Sequence, residues 1–113
     1  MDQAPPDRAV RLRLRQFLPV FEPGMQEPLG RMVDLSITGM MLIATRELPV
    51  GRVFEIEIRP PEGHPVRLAA ESVWCRTAPT NPHHFGVGFR FQGAADATLP
   101  LIEQLMQEAG TLH

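Results

Sequence analysis

The most restrictive feature of this sequence is a regular alternation of apolar with polar or glycine residues in two segments, 53–59 and 85–91. Successive side chains of an extended strand point to opposite faces of a sheet, so a period of two predicts strands that bury one face. The apolar face of the second segment consists of Phe85, Val87, Phe89 and Phe91. This pattern argues against an all-helical fold, and we expect a sheet with one covered face.

Turn-forming residues divide much of the remaining chain into short apolar stretches. The chain has 113 residues, of which 12 are proline and 9 are glycine. Further strands are expected at 11–22, 29–34, 40–44 and 66–76. We expect the unbroken apolar run 40–44 to be buried on both faces or to lie at a barrel corner. We also expect a bulge near Ala69 and Ala70, and a loop at 77–84 because that segment contains two prolines.

The apolar spacing changes after Gly93. Apolar residues then recur three or four positions apart, as in one stripe of an amphipathic helix, at Leu99, Ile102, Leu105, Met106 and Ala109. Asp96 or Thr98 is the expected N-cap, because a short side-chain oxygen accepts from the free amides of a first helical turn. The whole pattern predicts a mainly all-β fold, a small six-stranded antiparallel barrel with one C-terminal α-helix.

Arginine is the only strongly basic residue type in the chain. All 11 residues counted as lysine or arginine are arginines, and four of them cluster at Arg8, Arg11, Arg13 and Arg15. The planar guanidinium donates two parallel hydrogen bonds to a phosphate or a guanine edge. The alternative is that residues 11–15 form the solvated face of a strand. The formal net charge of −2 argues against a general nucleic-acid or acidic-membrane binder.

The cysteine content and the first residues predict a compartment and a domain organisation. Cys75 is the single cysteine, so the chain forms no internal disulfide and a reducing compartment is expected. The polar, proline-bearing residues 1–10 predict a flexible N-terminal arm, followed by one domain over 11–113. Neither a secretory signal nor an apolar run of ~20 residues is present, so we expect a cytoplasmic protein without membrane insertion.

The most informative short motif is Asp34-x-Ser36-x-x-Gly39. In an extended backbone Asp34 and Ser36 project from the same face, where they present a carboxylate and a hydroxyl side by side. A carboxylate accepts from the ring and exocyclic N–H groups of guanine, and a glycine allows a ligand or a backbone to approach closely. The alternative is ordinary turn chemistry, in which Asp and Ser side chains satisfy the amides of a turn.

Two motifs together resemble the signature elements of the PilZ domain family. They are Arg11-x-x-x-Arg15 and the Asp-x-Ser-x-x-Gly motif, and the segments 73–76 and 86–91 are similar to the final barrel strands of that family. The resemblance implies a PilZ-type barrel that binds the bacterial second messenger cyclic di-GMP. The ligand-binding residues that it implies are Arg11, Arg15, Asp34, Ser36 and Gly39, with Arg8 and Arg13 as substitutes if the arginine pairing is shifted.

The function expected from this resemblance is that of a cyclic di-GMP receptor. Binding would change the N-terminal arm and the protein surface, and so regulate an effector protein in motility, biofilm formation or related signalling. The alternative is a PilZ-like adaptor that binds no nucleotide and acts through protein contacts, for example in pilus or motility machinery. Trp74 is expected to pack in the core or at its rim, with stacking on a base as the alternative.

Catalytic chemistry is not expected from this sequence. No residues supply a nucleophile together with a base, and His83 and His84 have no third ligand at a useful spacing for a metal. We therefore expect no enzymatic activity, no metal site, no cofactor other than the ligand cyclic di-GMP, and no nucleic-acid partner.

Overall fold

The alternating segments form β-strands in the computed structural model, which describes residues 12–59, 64–93 and 95–108. The strands are β1 (Leu12–Phe21), β2 (Gly30–Leu35), β3 (Gly39–Ala44), β4 (Val53–Ile58), β5 (Val66–Ala78) and β6 (Asn81–Phe91). A helix, α1 (Ala95–Glu108), follows the last strand. This succession of elements confirms the predicted fold class.

All strand pairings are antiparallel, and they close the sheet into a barrel in the order β1-β2-β3-β6-β5-β4. The 13-residue strand β5 pairs with β4 through its first half and with β6 through its second half. The seam between β1 and β4 is short, with the pairs Val20–Ile58 and Phe21–Glu57. Closure gives every strand two neighbours, which satisfies backbone groups that an open sheet would leave at its edges.

Apolar side chains from the strands fill the barrel interior. Fully buried residues include Val20, Met32, Leu42, Ile56, Ile58 and Val87. Phe54 and Phe89 meet edge to face across this core, with ring centroids 5.7 Å apart and ring planes at 77°. The helix contributes Ile102 and Leu105, both fully buried in the same cluster. The predicted apolar stripe therefore packs the helix onto the barrel core.

The segment 77–84 is the tip of the β5–β6 hairpin, so the prediction of a loop there was wrong. β5 continues to Ala78 and β6 begins at Asn81, and these two residues are paired. Pro79 lies in the short turn between them, and Pro82 is exposed near the start of β6. Proline is tolerated near the start of a strand because it interrupts few hydrogen bonds there, and composition alone therefore misplaced the boundary.

The predicted N-cap was wrong, because the helix begins at Ala95 and Asp96 and Thr98 lie inside it. For 40–44, burial on both faces was also wrong, because the buried positions Met40, Leu42 and Ala44 alternate with half-buried ones. The apolar residues between them point away from the core. The alternative of a barrel corner stays a prediction.

Bulges in β2 and β5 change which side chains reach the outer face. The register shifts between Met32 and Asp34 in β2 and between Ser72 and Trp74 in β5. One extra residue moves every following side chain to the opposite face of a strand. Met32 and Ser72 are fully buried, whereas Asp34 and Trp74, two positions later, are only partly buried. Both therefore belong to the outer surface.

The bulge in β5 does not lie at Ala69 and Ala70, where it was predicted. These alanines pair in regular register with Glu55 and Phe54 of β4. The shift occurs at Val73, whose side chain is exposed. Alanine is small enough to fit either face of a sheet, so the irregular alternation at the two alanines did not indicate a change of face.

Candidate functional site

A row of register partners crosses five strands of the barrel. Arg13 of β1 pairs with Asp34 of β2, and Asp34 pairs with Met41 of β3. Met41 pairs with Gly88 of β6, and Gly88 pairs with Trp74 of β5. Directly opposed residues have Cβ atoms about 4.5–5.5 Å apart. The two bulges thus bring Asp34 and Trp74, which are 40 residues apart in sequence, into one band on the barrel surface.

A cleft of about 260 Å³ lies over this row, between the Ser36–Gly39 turn and the bulge of β5. Its lining includes Asp34, Ser36, Gly39, Met41, Val73, Trp74, Gly88 and Arg90. A carboxylate, a hydroxyl and a guanidinium therefore share the cleft with an indole ring and apolar side chains. This combination suits a ligand that has a flat ring, hydrogen-bond donors and negative charge.

Ser36 organises the turn between β2 and β3. Its backbone N–H donates to the carbonyl of Gly39 at 2.9 Å, and its Oγ accepts from the amides of Thr38 and Gly39, each at 3.3 Å. The residue is 8% exposed. The turn chemistry considered as the alternative is therefore present at Ser36. A contact between this hydroxyl and a ligand stays a prediction.

Gly39 lies where β3 and β6 approach each other closely. A Cβ atom built at this position would collide with the backbone carbonyl oxygen of Phe89. Backbone cannot move aside as the end of a flexible side chain can, so only glycine fits here without a shift of the strands. The glycine of the motif thus has a structural role, and its role in ligand binding stays a prediction.

Trp74 packs against Gly86 and Gly88 of β6. A Cβ atom at Gly88 would come within 2.8 Å of the indole Cδ1 and still closer to Nε1. The guanidinium of Arg76 lies over the indole ring, with its Cζ 5.3 Å from the ring centroid. The tryptophan is only partly buried and lines the cleft, so it lies on the outer face and not in the core.

Arg90 is a further cation at the cleft. Its Nη2 donates to Oε1 of Glu71 at 3.0 Å, and Gln92 Nε2 donates to the same oxygen at 3.2 Å. The sequence considerations did not single out Arg90, because it alternates with the phenylalanines of β6 as any solvated strand residue would. The pairing of Arg90 with Gly39 places it beside the motif, and no local pattern reveals that pairing.

The structure places two of the four clustered arginines. Arg13 and Arg15 belong to β1, whereas Arg8 and Arg11 lie outside the described residues. Arg13 is the register partner of Asp34, so a substitute arginine lies on the strand next to the aspartate of the second motif. The predicted flexible arm over 1–10 also lies outside the described residues.

Arg15 lies in a stretch where β1 and β2 lose their regular pairing. Five positions separate Arg13 from Leu18 in β1, but only two separate their partners Asp34 and Met32 in β2. The additional residues of β1 must bow out of the ladder. Arg15 therefore belongs to the irregular part of β1 between the pairs Arg13–Asp34 and Leu18–Met32, and its contact with a ligand stays a prediction.

Within the described part of the chain, no group of three or more His, Cys, Asp or Glu residues is arranged to hold a metal ion. Among the same residues, no helix combines the length and the apolar character needed to cross a membrane.

Comparison with known proteins gives a family match over most of the chain. Residues 7–108 match the model of the PilZ domain family. The PilZ domain of YcgR from Escherichia coli, solved with c-di-GMP, superposes with a TM-score of 0.63 at 19% identity, covering 90% of this chain and 92% of that one. No curated protein sequence is significantly similar to this chain.

Two longer structures share the same fold. MotI/DgrA, an inhibitor of motility from Bacillus subtilis, superposes with a TM-score of 0.64 at 15% identity over 88% of this chain and 50% of its own. A structure of YcgR from Escherichia coli in complex with c-di-GMP superposes with a TM-score of 0.65 at 21% identity over 90% of this chain and 46% of its own. This chain spans about half the length of those two proteins.

Proposed function

The chain belongs to the PilZ domain family, and from that premise we propose that it is a cyclic di-GMP receptor that regulates a partner protein. The observation that carries the proposal is the row from Arg13 through Asp34 to Trp74 beneath the surface cleft. The row contains the carboxylate of Asp34, which can accept from a guanine edge, the aromatic ring of Trp74, and Arg13 as a cation. YcgR, solved with c-di-GMP, shares this fold.

Each part of the cleft has a distinct role in this proposal. The carboxylate of Asp34 accepts from the N–H groups on the guanine edge, where two parallel bonds distinguish guanine from adenine. The indole of Trp74 offers a flat apolar surface for a base. Arg15, with Arg11 or Arg13, donates charge-assisted hydrogen bonds to the phosphates.

The size of the cleft indicates how the ligand would be shared between barrel and arm. At about 260 Å³ it is smaller than the roughly 300–1,000 Å³ of typical small-molecule sites. It would therefore receive part of a guanine dinucleotide, and the arginines clustered at positions 8–15 would cover the rest. Ordering of the arm over the ligand would create a new surface for an effector in the bacterial cytoplasm.

Isothermal titration calorimetry with cyclic di-GMP tests the proposal, with GTP as the control ligand. We expect saturable binding of cyclic di-GMP and much weaker binding of GTP. Arg15→Ala should weaken binding more than tenfold, corresponding to a loss of ~1.5 to 3 kcal/mol. Arg15→Lys should recover little of it, because lysine keeps the charge but loses the two-donor fork. Near-native affinity of the lysine variant would contradict bidentate recognition.

The arm has its own test. In the receptor, saturating cyclic di-GMP should slow amide exchange over residues 7–11, which precede β1, and reduce cleavage by trypsin at Arg8 and Arg11, while exchange in β6 stays nearly unchanged. Unaltered exchange and cleavage in the arm would contradict the proposed switch even if the nucleotide binds.

The second candidate function is an adaptor that binds no nucleotide, and two contacts favour it. The hydroxyl of Ser36 already serves the β2–β3 turn, and the guanidinium of Arg90 is already bonded to Glu71. Both polar groups thus have partners within the barrel. Absence of heat and of any change in arm exchange at high cyclic di-GMP concentration would favour this adaptor over the receptor.

A further inference from the structure

Arg90 lines the cleft, but its guanidinium is bonded to a residue of the neighbouring strand. Arg90 and Glu71 are register partners across β6 and β5, and their side chains form an ion pair with Nη2 3.0 Å from Oε1. The side chain of Arg90 is 64% exposed and that of Glu71 is 27% exposed. The arginine is therefore accessible to a ligand, although its charge is partly neutralised by Glu71.

The opposite side of Arg90 offers room for its side chain to move. Its register partner there is Gly39, which has no side chain to obstruct the path toward the Ser36–Gly39 turn. The cleft extends to that side, because both Gly39 and Ser36 line it, whereas Glu71 does not. A rotation of the arginine about its side-chain bonds would exchange the carboxylate for an anion in the cleft without moving the barrel.

Glu71 keeps a second donor if Arg90 leaves. Gln92 Nε2 donates to the same carboxylate oxygen at 3.2 Å. The carboxylate of Glu71 would therefore retain a hydrogen bond. Release of the arginine would not leave this charged group without a donor.

From these contacts we infer that Glu71 lowers the affinity of the cleft for a phosphate-bearing ligand by competing for Arg90. The inference rests on the proposed function and deepens it: Arg90 is a ligand-binding residue, and Glu71 is a positioning residue that sets the ligand concentration at which the receptor responds. Phosphate and carboxylate compete for the same planar guanidinium fork, so removal of the carboxylate charge frees the arginine.

The expected size of the effect follows from the exposure of the ion pair. Exposed pairs contribute little, so loss of the competing charge should tighten ligand binding by about two- to fivefold. Loss of Arg90 removes the charge-assisted bonds themselves and should weaken binding at least about threefold.

The test is calorimetric titration of cyclic di-GMP into the full chain and into Glu71→Gln, Arg90→Ala and the double variant. Glu71→Gln should bind more tightly than the unmodified chain, whereas the double variant should bind no more tightly than Arg90→Ala alone. Glu55→Gln is the matched control, because it removes one exposed glutamate charge from β4, away from the cleft, and it should leave the affinity unchanged.

Each other outcome contradicts a specific step. Unchanged or weaker binding by Glu71→Gln overturns the competition. A gain that persists in the Arg90→Ala background also overturns it, because Glu71 would then act by direct repulsion of the ligand. If the unmodified chain and all variants bind no cyclic di-GMP, the proposed function fails and this inference fails with it. If the unmodified chain binds cyclic di-GMP but Glu71→Gln does not change the affinity, the competition is contradicted while the proposed receptor function stands.

Discussion

Trp74 lies so close to Gly88, its register partner on β6, that any side chain at position 88 would overlap the indole ring. The indole ring therefore packs directly against the backbone of β6. The ring borders the cleft, and the guanidinium of Arg76 lies 5.3 Å from the ring centroid. The position of the only tryptophan in the chain thus depends on a missing side chain on another strand.

Gly88→Ala should destabilise the barrel or displace the indole ring from the backbone of β6. Overpacking at such a site costs roughly 1–3 kcal/mol in the free energy of unfolding, which urea denaturation measures. Gly86→Ala is the matched control, because a Cβ atom there would lie 3.0 Å from the flexible end of Met41 and 3.5 Å from the indole. A smaller loss is expected for it. Equal losses for the two variants would show that the indole contact is unimportant.

Cyclic di-GMP should change the fluorescence of Trp74 if the base stacks on its ring. The chain has one tryptophan and no tyrosine, so the emission reports this residue alone. We expect saturable quenching with the same midpoint as the calorimetric titration. Calorimetric binding without any change in emission intensity or wavelength would place the base away from the indole.

Asp34→Asn should weaken cyclic di-GMP binding about tenfold or more while the barrel stays folded. The amide replaces one carboxylate acceptor by a donor, which opposes the N–H groups on the guanine edge. Calorimetry measures the affinity, and circular dichroism verifies the fold. Glu103→Gln, an exposed charge change on α1, is the control. Equal affinities for the two variants would show that Asp34 does not contribute to ligand binding.

Ser72→Ala should destabilise the chain by about 1–3 kcal/mol because it removes two hydrogen bonds between a buried hydroxyl and the backbone. Ser72 is fully buried, and its Oγ donates to the carbonyl of Pro49 at 2.5 Å and accepts from the amide of Arg52 at 3.2 Å. It thus ties the connection between β3 and β4 to β5. Thr80→Ala, at an exposed hairpin turn, should change the unfolding free energy little. Similar values for both variants in urea denaturation would argue against this tie.

Glu57 should make the folding stability sensitive to acid. Hydrogen bonds from Arg59 at 2.6 Å and from Arg67 at 2.9 Å, together with their positive charge, lower the pKa of Glu57 below its ordinary value of 4.5 despite the opposing effect of burial. The unfolded chain therefore binds the proton more readily. Stability from this group is complete above pH 4.5 and is lost as the pH falls through the lower folded-state pKa.

Urea denaturation of the unmodified chain and of Glu57→Gln between neutral pH and about pH 3 measures this contribution. The unmodified chain should lose more stability over the acidic part of the range, because glutamine does not titrate. Parallel stability profiles for the two proteins would mean that the ion pairs of Glu57 contribute no linkage.

The elements themselves were largely predictable because their information is local. The alternation around Phe54 and around Phe89 indicates half-buried strands within a few residues, and the spacing from Ile102 to Leu105 indicates a helix by the same reasoning. Boundaries were less predictable. Composition placed a loop over 77–84, although a proline near the start of β6 is compatible with a hairpin.

The candidate site shows the limit of local information. The sequence alone singled out Asp34, Ser36 and the arginines through their types and spacing, and it left Trp74 between core and ligand surface. Nothing in the sequence near Arg90 indicates its position beside Gly39 or its ion pair with Glu71. These relations arise from the pairing of β6 with β3 and β5.

The sequence by itself determined a barrel of short strands with a terminal helix, because each strand encodes the buried face in its own period of two. Only the tertiary structure decided that Asp34 and Trp74 share the outer surface. An uninterrupted period would place them on the same faces as the buried residues Met32 and Ser72, and single-residue bulges reverse that assignment. A bulge forms where pairing with neighbouring strands favours it, so the face that these two residues occupy is a property of the closed sheet.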